Sequence, residues 1–263
     1  DEAMRLGFRW ERGPFELIDE LEASWLCERL ADQGEPIPSF LQTAREHGFY
    51  ESGPGPRRQL GLDGQFRPIP REAGTLSLGE IKRSRGPEAG NASASVWDIG
   101  EEVLCLEFHS KMNALDAQVI EMLGRALEMV KAGRRGLVIY NEGENFSVGA
   151  NAGLILFASN LAMWDAVEFG LKAGQDTYKA MKYSPFPVVG APSGMALGGG
   201  CEILLHCDAV QAHAETYMGL VEVGVGLLPG WGGCKEMILR WMAHDQRPGG
   251  PMPAIQKAFE LIS

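Results

Sequence analysis

Positive charge is scarce in this sequence. Lysine and arginine number 24 against 35 aspartates and glutamates, a formal net charge of −11 at pH 7. Such a chain would repel nucleic-acid phosphates, which argues against nucleic acid as a partner, and any anionic ligand must be met by local positive groups. Long apolar runs are missing as well: none reaches membrane-spanning length, and there is no signal peptide. No Gly-x-Gly-x-x-Gly fingerprint occurs, so a dinucleotide-binding domain is not present in this stretch. Cysteine is limited to Cys27, Cys105, Cys201, Cys207 and Cys234, an odd number with no Cys-x-x-Cys pair. That pattern reads as reduced thiols in a cytoplasmic protein, ahead of zinc or disulfides. Asn91-Ala92-Ser93 fits a glycosylation sequon, which without a secretory signal reads as chance.

What is present suffices for a sizeable core. Of the 263 residues 45% are hydrophobic, enough for one large domain or one domain with an extra segment. Three regions are expected. Residues 1–50 read as helical, with Phe15, Ile18, Leu21, Trp25, Leu26 and Leu30 at helical spacing, a break at Pro36-Ile37-Pro38 and a second short helix over 39–47. So short a pair buries little alone, so its face of Phe15, Ile18, Leu21 and Trp25 is expected to pack on the larger domain. Residues 51–90 are rich in Gly, Pro and Arg and read as a linker. Residues 91–263 alternate strand and helix signals, which indicates α/β. Strands are expected at 94–98, 103–108, 136–140, 188–191 and 209–212, and helices at 116–131, 162–183, 201–207, 233–241 and from 254 on. Gly100 marks a hairpin turn between the first two strands.

The most informative stretch is Gly198-Gly199-Gly200-Cys201-Glu202, with Glu222 twenty residues later. Three glycines let the backbone come close to a ligand and leave free N–H groups at a helix start, a setting that suits a developing negative charge. Two carboxylates near the same point could handle protons and water. Position alone leaves Glu202 equally readable as a first-turn acid that complements the helix dipole. Glu222, flanked by Leu220, Val221, Val223 and Val225, could be a surface residue of an edge strand, but buried among valines it would be costly unless used. His206, one turn after Glu202 and close to Asp208, admits a Glu/His metal pair, yet no further ligand pattern appears, and a hydrogen-bonded core histidine is the preferred reading. Ser147 and Ser193 lack a nucleophile-elbow pattern. Cys201 reads as a small packing residue.

These motifs resemble the enoyl-CoA hydratase/isomerase (crotonase) family. Asn145-Phe146-Ser147-Val148-Gly149-Ala150-Asn151 is similar to its first oxyanion-hole loop, and Ala196-Leu197-Gly198-Gly199-Gly200-Cys201-Glu202 to its second. Met112-Asn113-Ala114-Leu115, Tyr217-Met218-Gly219-Leu220-Val221-Glu222-Val223-Gly224 and Leu228-Pro229-Gly230-Trp231-Gly232-Gly233 continue the match in the family's order. The resemblance implies a crotonase-like spiral of ββα units, preceded by the short helical segment and the long linker. It implies an acyl-CoA substrate, oxyanion-hole N–H groups from Ala150 and Gly199, substrate contacts at Val148, Gly149, Gly198 and Gly200, catalytic roles for Glu202 and Glu222, and a homo-oligomer, a trimer in the family. No metal and no cofactor are implied for this chain. Two glutamates favour a hydratase acting on trans-2-enoyl-CoA; an isomerase, which needs one, and a non-catalytic acyl-CoA-binding module are the alternatives. Where the family has an aspartate after the oxyanion-loop alanine, this chain has Asn151, and an apolar run replaces the charged stretch that follows. The covering helices after Trp241 look short, as though part of them were missing.

A second, shorter resemblance concerns residues 1–50. Met4-Arg5-Leu6-Gly7-Phe8 and Gly13-Pro14-Phe15-Glu16-Leu17-Ile18-Asp19 are similar to the C-terminal domain of 3-hydroxyacyl-CoA dehydrogenases. It implies the hydratase part of a fused fatty-acid β-oxidation enzyme, with NAD used only by a dehydrogenase part outside this stretch.

Overall fold

The computed structural model describes residues 1–8, 10–51, 53, 55–71, 73–243 and 252–262. The chain divides into two units, Asp1–Gly86 and Pro87–Ser263.

The smaller unit begins with helices α1 (Glu2–Phe8), α2 (Pro14–Leu21), α3 (Ala23–Asp32) and α4 (Ser39–Ala44). Pro14 opens α2 at a position where its missing N–H is not needed. A small antiparallel sheet follows, β1 (Tyr50–Glu51), β2 (Arg58–Leu60) and β3 (Phe66–Pro68), and then α5 (Leu78–Ser84). The expected linker is therefore largely folded, and two of its residues complete a core. Ala23, Cys27, Leu41, Ala44, Phe49 and Leu60 are buried together, with Ile18 and Phe66 packed against them. Phe15 meets Phe40 and Phe49 with ring centroids 5.9 and 4.6 Å away, and Trp25 lies under the Arg29 guanidinium. Phe15 and Ile18 thus find partners within their own unit, contrary to the expectation that this segment lacks a core. Composition misled because Leu60 and Phe66 are isolated apolar residues among Gly, Pro and Arg. The Asp19 carboxylate accepts from Phe49 N at 2.7 Å and Tyr50 N at 2.8 Å, which pins the entry into β1 to α2.

The larger unit is built on a six-stranded sheet. Its strands are β4 (Ala89–Gly90), β5 (Ala94–Asp98), β6 (Val103–Phe108), β7 (Gly136–Ile139), β9 (Val188–Gly190) and β11 (Ala209–Val210), in the order β11-β9-β7-β6-β5-β4. The β5–β6 hairpin turns at Gly100, Glu101 and Glu102, all with positive φ. From β6 onward the pairings are parallel. Between β6 and β7 runs α6 (Ala117–Lys131), whose buried Val119, Ile120, Met122, Leu123, Ala126, Leu127 and Val130 recur at three- and four-residue spacing and face the core. Asp116 caps it, accepting from Val119 N at 2.9 Å and from the Ser93 hydroxyl at 2.6 Å. Asp116→Ala is expected to destabilise the larger unit by about 1 kcal/mol, the usual worth of an N-cap side chain. Comparing urea midpoints of the two full-length proteins checks this.

A second sheet carries what the first does not. Three short strands, β8 (Asn145–Ser147), β10 (Met195–Leu197) and β12 (Tyr217–Gly219), pair in parallel in the order β12-β10-β8. Helices α7 (Ala152–Asn160) and α8 (Trp164–Lys182) follow β8, and α9 (Gly199–His206) follows β10. After β12 come a single 3-10 turn at Glu222–Val225 and then α10 (Gly233–Met242). α11 (Met252–Ile262) packs on α10 through buried Ala254 and Ala258, with Lys257 over the Trp241 ring. Asn151 is the N-cap of α7, its Oδ1 accepting from Leu154 N at 3.3 Å, so the apolar run after it is a helix rather than a loop.

Candidate active site

All three strands of the small sheet end at one edge, the carboxyl edge of parallel strands, where α/β folds place ligands. β8 delivers Val148-Gly149-Ala150, β10 delivers Gly198-Gly199, and β12 delivers Glu222. The candidate site residues are therefore gathered by topology.

Two main-chain N–H groups are aimed by their own peptides. A trans peptide points its carbonyl and its N–H in opposite directions. The Gly149 carbonyl accepts from Leu115 N at 2.9 Å, so the Ala150 N–H is turned away from Leu115. Along the axis of α9, the Gly198 carbonyl accepts from Glu202 N at 2.9 Å, so the Gly199 N–H points out of the helix N-terminus. The two loops touch: a Cβ on Gly149 would lie 2.7 Å from Leu197 O and 3.1 Å from Gly199 N. Gly149 and Gly198 also adopt positive φ, +87° and +53°, which favours glycine at both.

Each glycine of the triplet faces a different neighbour. A Cβ on Gly198 would sit 3.2 Å from Glu222 Oε1, one on Gly199 2.8 Å from the Trp231 ring, and one on Gly200 2.8 Å from Ser147 Cβ and O. Ser147 in turn organises the first loop. Its hydroxyl donates to Asn113 O at 2.7 Å and accepts from Gly149 N at 3.1 Å, while Asn113 Nδ2 donates to Asn145 O at 2.8 Å. Val148 and Ala150 remain half-buried, whereas Gly149, Gly198, Gly199 and Gly200 are buried.

Glu202 lies in the first turn of α9 and is 2% exposed. Its Oε1 accepts from Trp231 N at 2.9 Å and Gly233 N at 2.8 Å. Burial pushes its carboxyl pKa up to about 7; the charge of Glu222 adds to this and the two N–H donors oppose it. Burial also raises the Glu222 pKa. Among the described residues no protein group reaches Glu222 Oε2, which is buried. The flanking Val221, Val223 and Val225 are exposed, so the burial of this carboxylate comes from Gly198 and the loops around it rather than from its valine neighbours. Two carboxyls with raised pKa values, that of Glu202 at about 7, therefore share this edge of the sheet with two directed N–H groups.

Tyr178 lies outside every motif of the sequence, and Trp231 lies in one that assigns it no role. The Tyr178 hydroxyl donates to Gly199 O at 3.1 Å, and its complete burial holds the phenol well above its usual pKa, so it keeps the proton it donates. Trp231 packs edge-on to Tyr178, centroids 5.4 Å apart, and covers Gly199. Cys201 is buried and its thiol is pushed up to about 12, chiefly by burial, which makes it a poor nucleophile at neutral pH. His206 is a buried, hydrogen-bonded core histidine, as preferred above.

With this geometry in place, the comparisons with known proteins fall into a pattern. Residues 98–245, more than half of the chain, match the enoyl-CoA hydratase/isomerase family. A probable 3-hydroxyacyl-CoA dehydrogenase of Bacillus subtilis is 40% identical over 266 residues, covering 100% of this chain and 33% of that protein. A putative fatty acid oxidation complex trifunctional enzyme of Rickettsia felis is 33% identical over 244 residues, 91% of this chain and 31% of its own length. The chain thus spans about a third of the length of these relatives. The crystal structure of an enoyl-CoA hydratase from Bacillus anthracis superposes with a TM-score of 0.53 at 25% identity, covering 65% of this chain and 62% of that one. The chain belongs to the enoyl-CoA hydratase/isomerase family and has its crotonase-like α/β fold.

Proposed function

We propose that this chain catalyses the reversible syn addition of water across a trans-2-enoyl-CoA, giving a 3-hydroxyacyl-CoA. The observation that carries the reading is the delivery of Glu202 and Glu222, from different strands of one small sheet, to the same point as the two directed N–H groups. The thioester carbonyl accepts from Ala150 N and Gly199 N. As water adds at the β carbon, negative charge grows on that oxygen, and these preorganised donors stabilise the enolate. Glu202 takes a proton from the attacking water. Glu222 gives one to the α carbon, with Oε2 as its available oxygen. Both acids have raised pKa values, and that of Glu202, at about 7, suits proton exchange near neutral pH. No metal or cofactor enters this scheme.

The parent protein is proposed to serve fatty-acid β-oxidation and to hold a 3-hydroxyacyl-CoA dehydrogenase as well. Support comes from the names of the two relatives and from the match of the first of them along the whole chain, residues 1–86 included. The smaller unit is then the end of the dehydrogenase, which uses the product made here. A cytoplasmic location and a homotrimeric assembly complete the proposal; no described helix is long and apolar enough to cross a membrane.

Incubation with crotonyl-CoA tests the reaction. Loss of the conjugated enoyl-thioester absorbance is expected. Shift of the double bond in a 3-enoyl-CoA without hydration would indicate an isomerase, and binding without turnover a non-catalytic module. NADH titration followed by fluorescence is expected to show no stoichiometric binding to this chain.

A further inference from the structure

Beneath Glu202 lies a buried polar cluster with no part in the scheme above. It joins the C-terminal end of α8, the last turn of α9 and the first turn of α10. His206 Nδ1 is 2.7 Å from the Glu202 main-chain carbonyl, which can only accept, so Nδ1 carries the proton. The other ring nitrogen, Nε2, is 3.5 Å from Glu236 Oε1, with both side chains at most 2% exposed. Glu236 is held in turn by Lys182 and by Lys235, the latter at 2.9 Å. Burial alone would raise the Glu236 pKa, but the two lysines outweigh it and keep the carboxyl ionised. Burial keeps the imidazole below its ordinary pKa, so the neutral ring has no proton on Nε2 and its contact with Glu236 is not a hydrogen bond.

The ring also touches the loop that grips Glu202. Gly232 has φ +117° and caps α10, its carbonyl accepting from Glu236 N at 2.9 Å. A Cβ on Gly232 would lie 2.9 Å from both Cε1 and Nε2 of His206. The residues on either side of Gly232 are Trp231 and Gly233, whose N–H groups hold Glu202 Oε1. Two routes therefore run from the ring to one carboxylate, along the backbone of α9 and through the Gly232 loop.

We propose that His206, fixed by its Nδ1–H bond to the Glu202 carbonyl and packed against Gly232, is a positioning residue for Glu202: it locks the Trp231–Gly233 loop where two N–H groups reach the carboxylate. This rests on the catalytic reading of Glu202 given above. The groups facing the ring are the Glu202 carbonyl on its own helix, Tyr178 and Lys182 from α8, and Lys235 and Glu236 from α10.

The test uses the full chain with ¹³C-labelled glutamate carboxyls, the Glu202 signal being identified by its loss in Glu202→Gln. In His206→Leu the loop relaxes, the two N–H donors are weakened, and the Glu202 carboxyl is expected to titrate at higher pH than in the wild type. Turnover on crotonyl-CoA should fall roughly 10- to 100-fold, with kcat moving more than KM, as small misplacements of a reacting group do. His206→Gln, which keeps an N–H donor and much of the volume, should recover most of both effects. A merely structural histidine would lower the melting temperature of His206→Leu but leave the Glu202 titration and the kcat of the folded protein unchanged, and that result overturns the proposal. If His206→Leu does not fold, His206→Met, which fills the space without an N–H donor, is read in its place: an upward shift of the Glu202 titration supports the proposal and an unchanged one overturns it. Should the wild type fail to hydrate crotonyl-CoA, the proposed reaction falls, while the carboxyl titration still decides the role of His206.

Discussion

Glu202→Gln and Glu222→Gln are each expected to lower hydratase turnover about 10²- to 10⁴-fold, the usual worth of a general acid–base group. Folding should survive, because glutamine matches glutamate in shape. At position 202 the amide oxygen can still accept from Trp231 N and Gly233 N. Stability should in fact separate the two proteins in a defined direction. The Glu202 carboxyl has a pKa of about 7 in the folded chain against an ordinary 4.5. The folded state then holds this proton more tightly than the unfolded one. The stabilisation from that proton is fully present below pH 4.5 and is lost as pH rises through 7. Glu202→Gln, which never ionises, should gain on the wild type across that window by an amount on the order of 3 kcal/mol. Steady-state rates on a short enoyl-CoA, with urea denaturation at several pH values, measure both effects. Near-normal turnover in either variant would remove that glutamate from the mechanism, and parallel stability curves would show that Glu202 is not a buried acid.

Gly199→Pro is expected to abolish activity. It deletes the N–H at the N-terminus of α9 that the proposed mechanism assigns to the thioester oxygen, at a helix position where proline is otherwise tolerated. Loss of a single oxyanion donor typically costs about 10²- to 10³-fold in kcat. The pyrrolidine ring adds a second injury, since even a Cβ here would come within 2.8 Å of the Trp231 ring and 3.1 Å of Leu115. Gly199→Ala isolates that second effect: it keeps the N–H and should lose activity only through crowding. Should Gly199→Pro fold and hydrate crotonyl-CoA at the rate of the alanine variant, the N–H is not a donor in the reaction.

Much of the larger unit was legible because its elements are long or strongly patterned. α6 repeats its apolar residues every three or four positions over fifteen residues, and β6 reads as a continuous buried run. The strands that build the site were not. β8, β10 and β12 have three residues each, too few for alternation to register, and their pairing depends on partners about 20 to 50 residues away. In the smaller unit the sheet was hidden by a Gly-, Pro- and Arg-rich composition, and only the meeting of Leu60 and Phe66 with Phe49 reveals a core. Within the site, close approach of backbone to backbone demands glycine, so the triplet stood out. The grip on Glu202 did not, because Trp231 and Gly233 supply main-chain N–H groups that any residue but proline would have. Tyr178 likewise reaches Gly199 from a helix with no motif of its own.

The central claim is that two main-chain N–H groups and two glutamates converge on one thioester. A crystal structure of this chain with a bound acyl-CoA tests it most directly. The account predicts the thioester oxygen within hydrogen-bonding distance of both Ala150 N and Gly199 N, with the α and β carbons beside the carboxyls of Glu222 and Glu202. A thioester oxygen far from both N–H groups, or an acyl chain that enters without passing the two glutamates, would contradict it.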